Sequence, residues 1–87
     1  MKTIFTPEYD LFRQSMIEAR KKANLTQAMI AQSMNKPQSF VAKYENGERR
    51  LDIVEFVYIT HIIGIDPCEI IRTIEQAIKN TSCGDNQ

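Results

Sequence analysis

The chain has 87 residues, of which 43% are hydrophobic and 25% are charged, with three glycines and three prolines. This length predicts one small domain, and the composition excludes a disordered or collagen-like chain. No stretch reaches the roughly 20 apolar residues of a membrane span, and Met1 to Thr6 is too short and too polar for a signal peptide. Cys68 and Cys83 are too few for a disulfide scaffold, so we expect free thiols and a cytoplasmic location.

The formal net charge of zero hides an uneven distribution of charge along the chain. Residues 13–50 carry eight basic and three acidic side chains, whereas residues 51–87 carry two basic and six acidic ones. One half of the chain is therefore basic and suited to an anionic partner, while the other half would repel it.

The first helix is predicted to begin at Pro7, because Thr6 can serve as the N-cap and proline suits the first helical position. Apolar residues then recur in steps of three and four, which is the spacing of one helical face. They are Tyr9, Phe12, Met16, Ala19 and Ala23. Asn24 suits the end of this helix, since asparagine tolerates a left-handed backbone.

Two short helices follow and are joined by only a few residues. The second helix begins after the N-cap Thr26 and runs from Gln27 to about Met34. The third begins near Pro37, in a first-turn position, and ends at Asn46.

Two more helices complete the predicted fold. Asp52 and Glu55 form a capping-box pattern for a fourth helix that ends at Gly64. Asp66, followed by proline, starts a fifth helix that reaches about Asn80.

These five helices, with no segment that alternates as a strand does, predict an all-α fold. We expect residues 1–80 to form the domain. Residues 81–87 are polar and are expected to form a disordered tail.

The second and third helices meet the requirements of a helix-turn-helix. The first helix of such a motif needs a small residue at the crossing point, and the turn needs a residue with a left-handed backbone. Ala31 and Asn35 fit these positions, while Val41 and Tyr44 supply apolar anchors in the following helix. The side chains left on the outer face are Gln38, Ser39, Phe40, Ala42 and Lys43.

The stretches from Asn24 to Ala31 and from Gln38 to Gly47 resemble the Cro and phage-repressor helix-turn-helix family, which includes xenobiotic-response-element-like regulators. The similarity covers roughly residues 12–67. It implies a compact five-helix, lambda-repressor-like DNA-binding domain without catalytic activity, metal or cofactor. The family usually has glycine where this chain has Asn35, a departure that costs little because asparagine can adopt the left-handed conformation.

The resemblance also implies which side chains contact double-stranded DNA. Gln38 matches a position that reads adenine through its amide, and Gln27 matches one that braces this amide and contacts phosphate. Ser39 and Lys43 are expected at base edges or the flanking backbone. Asn46 and the backbone amide of Gly47 match phosphate-contacting loop positions, and Arg49 and Arg50 are expected to add positive charge there.

Phe40 has three open interpretations: contact with a thymine methyl group, packing within the protein, or a contact between subunits. Arg20 and Glu45 match a family pair that forms a partly buried ion pair between the first helix and the recognition helix. We expect this pair to serve stability, because breaking it leaves an uncompensated charge.

The fourth helix is apolar around most of its circumference, which a surface helix with a single apolar stripe does not need. A second side is therefore expected to meet another copy, although the fourth and fifth helices could simply bury each other. The candidates for a dimer interface are Val57, Tyr58, His61 and Ile62.

A two-fold dimer presents recognition helices to half-sites roughly 34 Å apart. The sequence thus predicts a regulator, in particular a repressor, that binds a palindromic operator as a homodimer. We expect it in the cytoplasm, associated with the nucleoid when bound to DNA.

Other functions fit these residues less well. An enzyme is disfavoured because His61 is the only histidine and lies among isoleucines, and there is no glycine-rich phosphate loop. His61 and Cys68 provide too few ligands for zinc. An antitoxin, which binds a protein partner with the same fold, and a restriction-modification controller protein remain alternatives.

Overall fold

The computed structural model describes the backbone of residues 6–86 and the side chains of residues 6–80. The described chain contains no strand and consists of five helices, which confirms the all-α prediction. The helices are α1 (Pro7–Lys22), α2 (Gln27–Ser33), α3 (Gln38–Glu45), α4 (Ile53–Ile63) and α5 (Pro67–Asn86).

The N-terminal ends of the helices form where the sequence placed capping residues. The hydroxyls of Thr6 and Thr26 each accept a hydrogen bond of 3.1 Å from a backbone amide of the first turn that follows. At α4 the carboxylates of Asp52 and Glu55 form the predicted capping box, with hydrogen bonds of 2.8 and 3.0 Å.

The turns after α1, α2 and α4 each contain a residue with a left-handed backbone. Asn24 follows α1 with φ of 61°, Asn35 follows α2 with φ of 59°, and Gly64 follows α4 with φ of 91°. Both asparagines adopt the conformation that the sequence assigned to them. Asn35 thereby takes the place of the usual glycine in the helix-turn-helix.

Two helix boundaries differ from the prediction. Pro37 is the N-cap of α3 rather than a residue of its first turn, since its ψ of 155° is extended. The backbone of α5 continues to Asn86, beyond the predicted end near Asn80. Residues 81–86 contain no proline, so each can add a backbone hydrogen bond to a helix that has already formed, although Gly84 is a poor helix former. The side chains of residues 81–87 lie outside the described part of the chain.

The core lies where α3 and α4 meet the other helices. α2 packs on α3, α1 packs on α3 and α5, and α4 packs on α2 and α5. The most deeply buried apolar residues come from four of the helices, so no helix of the motif stands alone. They are Met16, Ile30, Ala31, Val41, Tyr44 and Ile59.

Candidate nucleic-acid interface

The orientation of α3 is set by its two apolar anchors. Val41 is fully buried and Tyr44 is 2% exposed, and both belong to the same core cluster as Ala31 at the crossing point of α2. The opposite face of α3 is exposed. It presents four of the side chains expected to contact DNA, which are Gln38, Ser39, Lys43 and Asn46.

Along one side of α3 lie Gln38 and Glu45 of that helix and Gln27 of α2. We call these three residues the amide edge. Gln27 donates from Nε2 to Oε1 of Glu45 at 2.8 Å and accepts at Oε1 from Nε2 of Gln38 at 3.4 Å. The two glutamines and the carboxylate therefore form one hydrogen-bonded chain that leads from the protein interior to the outer face of α3.

The carboxylate sets the direction of both amides along this chain. Because an ionised carboxylate only accepts hydrogen bonds, Gln27 must turn its NH₂ group toward Glu45 and its carbonyl toward Gln38. Gln38 then turns its NH₂ toward Gln27 and retains one N–H and Oε1. This donor and acceptor are the pair with which glutamine recognises the N7 and N6 groups of adenine.

The inner end of the amide edge is an ion pair between α1 and α3. Arg20 donates from Nε and Nη2 to the two carboxylate oxygens of Glu45, at 2.7 and 3.0 Å, and from Nη1 to the carbonyl of Leu25 at 2.8 Å. The two side chains are only 11% and 4% exposed. Chiefly through the hydrogen bond to Glu45, the pKa of the Arg20 guanidinium is raised. The ion pair expected from the resemblance is thus present.

On the opposite side of α3, Phe40 is flanked by three residues from outside the helix, which are Lys36, Arg49 and Glu55. We call these four residues the aromatic edge. Phe40 is only 9% exposed and contacts the Tyr44 ring edge-on, at 6.0 Å between centroids. The prediction that Phe40 lies on the outer face is therefore wrong, and packing within the protein is the interpretation that the structure supports. Its position, two residues after Gln38, turns it about 200° away on a helix.

Arg49 is held on the aromatic edge by several contacts. Its guanidinium carbon lies 4.6 Å from the centroid of the Phe40 ring, and its two terminal nitrogens donate to the Glu55 carboxylate at 3.0 Å each. Hydrogen bonding from Arg49 is the main reason that the pKa of Glu55 is lowered. Neither Lys36 nor Glu55 was among the predicted site residues, because an acid and a turn lysine carry no local signal of DNA contact.

Arg50 lies on a different surface from Arg49. Its guanidinium carbon is 4.9 Å from the centroid of the Tyr9 ring, and it lines a groove between α1, α4 and α5 with Leu51 and Phe56. The two adjacent arginines therefore stack on different rings, one on the recognition helix and one on α1.

An exposed apolar face extends along α4. Val57 is 46% exposed and Tyr58 is 61% exposed, and both line a shallow groove with His61. Ile53 and Val54, at 65% and 61% exposure, belong to the same face. Ile62, the fourth interface candidate, is half-buried and packs against the core.

Other kinds of site find little support in the described residues. No described helix is long and apolar enough to cross a membrane. No group of three or more histidine, cysteine, aspartate or glutamate side chains within residues 6–80 could hold a metal ion. Cys68 is a free, exposed thiol, and Cys83 lies outside the described side chains.

Comparison with protein families places this geometry in a class of DNA-binding proteins. The family model described as "Helix-turn-helix" matches residues 16–70, from α1 through the start of α5. The chain therefore belongs to the helix-turn-helix family of Cro and phage-repressor type, a family of DNA-binding transcription regulators. None of the curated proteins compared with the chain matches it.

Two solved structures are similar to this chain. An XRE-family like protein from Pseudomonas syringae pv. tomato is 40% identical, with a TM-score of 0.76, over 80% of this chain and 85% of that chain. The clp gene regulator ClgR from Corynebacterium glutamicum is 9% identical, with a TM-score of 0.72, over 93% of this chain and 86% of that one. The first similarity shows an XRE-type relative, and the second shows the shared fold alone.

Proposed function

We propose that this protein is a transcriptional repressor that recognises a palindromic operator as a homodimer and reads it with α3. The observation that carries this proposal is the amide edge. Gln38 stands on an exposed helix face and keeps one N–H and its carbonyl unused, and its hydrogen bond to Gln27, which is itself bonded to Glu45, orients it. This hydrogen-bonded chain pre-orients the amide that would meet a base.

The exposed face of α4 supports the homodimer. It brings together Ile53, Val54, Val57 and Tyr58 on one side of a helix whose other side already packs in the core. A second copy related by a two-fold axis would bury the same face of both subunits. This arrangement doubles the number of base contacts, as a palindromic operator requires. We place such a repressor in the cytoplasm, at the nucleoid.

Selection of bound duplexes from a random pool tests sequence-specific recognition. The wild-type protein is expected to enrich a two-fold symmetric motif whose half-sites are centred about one helical turn, roughly 34 Å, apart. Recovery of duplexes without a common motif would refute the proposed operator. A single half-site without symmetry would refute the dimer.

Light scattering at tens of micromolar tests the homodimer directly. The wild type is expected to have twice the mass of the chain, and Val57→Glu is expected to be a folded monomer, because the substitution adds a charge to an already exposed position. Gln14→Glu adds the same charge at an exposed position of α1 and should remain a dimer. A monomeric wild type would contradict the proposal.

A further inference from the structure

The aromatic edge holds Arg49 in an orientation that leaves part of its guanidinium available. Nη1 donates to Glu55 and to the carbonyl of Arg50, and Nη2 donates once to Glu55. Among the described residues, the Nε–H and the second Nη2–H of Arg49 have no hydrogen-bond partner. These two groups lie on one edge of the planar guanidinium and point in parallel, which is the geometry that binds two oxygens of a phosphate.

The surroundings of Arg49 limit the motion of this edge. The guanidinium carbon lies over the Phe40 ring, 4.6 Å from its centroid, and Glu55 binds the far end of the guanidinium with two hydrogen bonds. Glu55 is itself fixed, because it also accepts from the amide of Asp52 at 3.0 Å. The arginine side chain is nevertheless 38% exposed, so an outside ligand can reach it.

A second cation shares the same ring. Nζ of Lys36 lies 5.3 Å from the centroid of Phe40, and Lys36 is exposed. Glu55 pairs with Arg49, and Asp52 also lies near Arg49, whereas Lys36 is exposed and forms no ion pair within residues 6–80. The edge therefore offers an anion one directional donor pair and a second cation beside it.

The position of this cluster favours the DNA backbone as the anion. Phe40 lies on the side of α3 away from Gln38, about 200° around the helix. A recognition helix in the major groove, which is about 12 Å wide, has a phosphate strand along each side. With the amide edge toward one strand, the aromatic edge faces the other.

Arg49 is already expected near the DNA phosphates; we propose that Lys36 binds the same backbone phosphate of duplex DNA and that Glu55 is a positioning residue that holds Arg49 for this contact. The inference rests on the proposed DNA binding but not on a particular operator, since phosphate contacts carry no sequence information. It assigns to an acidic side chain a favourable role in binding a polyanion, which is the opposite of what its charge alone predicts.

Affinity for a mixed-sequence duplex, measured for Glu55→Gln and Glu48→Gln, tests this assignment. Both variants remove one negative charge, and glutamine at position 55 can still accept the hydrogen bond that caps α4. Glu48 is exposed and immediately precedes Arg49. We expect Glu55→Gln to bind about 3- to 10-fold more weakly than the wild type, from the loss of one oriented contact. We expect Glu48→Gln to bind equally well, or up to about 3-fold more tightly.

A double-mutant cycle separates positioning from a general structural effect. In an Arg49→Gln background, Glu55→Gln should no longer weaken binding, because there is no guanidinium left to hold. Weakening by the same factor in that background would overturn the assignment, as would Glu55→Gln binding as tightly as the wild type. Failure of the wild type to bind any duplex at low salt would instead refute the proposed function itself.

Discussion

The two edges of the recognition helix are built on different principles. The amide edge ends in an ion pair whose partners are at most 11% exposed and which joins α3 to α1. The aromatic edge ends in an ion pair whose arginine is 38% exposed and which joins the loop after α3 to α4. One edge is thus anchored in the core, and the other at the surface.

This difference matches the precision that each edge requires. Reading a base needs a donor and an acceptor in fixed positions, which a buried carboxylate provides through Gln27. Binding phosphate needs charge and one oriented donor pair, which a partly exposed arginine on an aromatic ring can supply. The comparison predicts that changes to the amide edge have large effects on stability or alter base preference, while changes to the aromatic edge alter affinity without altering base preference.

Removal of the buried acid should have the largest effect. Glu45→Ala leaves Arg20 without its carboxylate, so we expect the free energy of unfolding, measured with urea, to fall by about 3 to 5 kcal/mol. Replacing both residues with methionine should cost much less, because no uncompensated charge remains. Equal losses in the single and the double variant would show that the pair does not anchor the amide edge.

Removal of the Phe40 ring should lower the affinity for DNA without changing base preference. Phe40→Leu keeps an apolar side chain in the core but removes part of its volume, so we expect a loss of about 1 to 3 kcal/mol in stability. It removes the surface on which Lys36 and Arg49 stack, and we expect affinity to fall about 3- to 10-fold for the selected operator and for a mixed-sequence duplex alike. A loss confined to the selected operator would mean that Phe40 contributes to base readout.

Removal of the bridging glutamine should affect preference at a single base pair. Gln27→Leu cuts the chain between Glu45 and Gln38, and we expect about 1 kcal/mol of discrimination to be lost at the base pair that Gln38 reads. If Gln27 also contacts phosphate, the variant should in addition lose affinity by the same factor for all DNA sequences. A purely uniform loss would show that Gln27 does not orient Gln38.

Lowering the pH should have the smallest effect on stability, and this effect should arise at the aromatic edge. The hydrogen bond from Arg49 lowers the pKa of Glu55 in the folded state, so the ionised form stabilises the fold. This contribution is complete above the unfolded value, about 4.3, and is lost as the pH falls through the lower folded value. Between pH 7 and pH 3 the wild type should lose slightly more stability than Glu55→Gln, by less than about 1 kcal/mol. An equal loss would contradict the stabilising role of the pair.

Much of the fold follows from local sequence signals. Thr6, Thr26 and Asp52 mark helix starts, and Asn24 and Asn35 mark turns, because capping and left-handed backbone depend only on neighbouring residues. The predicted end of α5 near Asn80 is too early, because the polar residues after it, Gly84 included, indicate a frayed tail, whereas the helix continues to Asn86.

The site was less predictable where it depends on contacts between distant residues. The sequence pattern predicts Phe40 on the outer face of α3, and only the positions of Lys36 and Arg49 show that the ring is covered. The pairing of Arg49 with Glu55 likewise depends on how the loop after α3 returns to α4. The Arg20 and Glu45 pair was expected only because the family resemblance supplied it.

The most direct test of the account compares wild type and Gln38→Ala on the selected operator and on a set of operators with single base-pair changes. We predict that the variant loses about 1 to 3 kcal/mol of discrimination at one base pair in each half-site and keeps its preferences elsewhere. Unchanged preference at every base pair would contradict the central claim that Gln38, oriented through Gln27 by Glu45, reads the DNA.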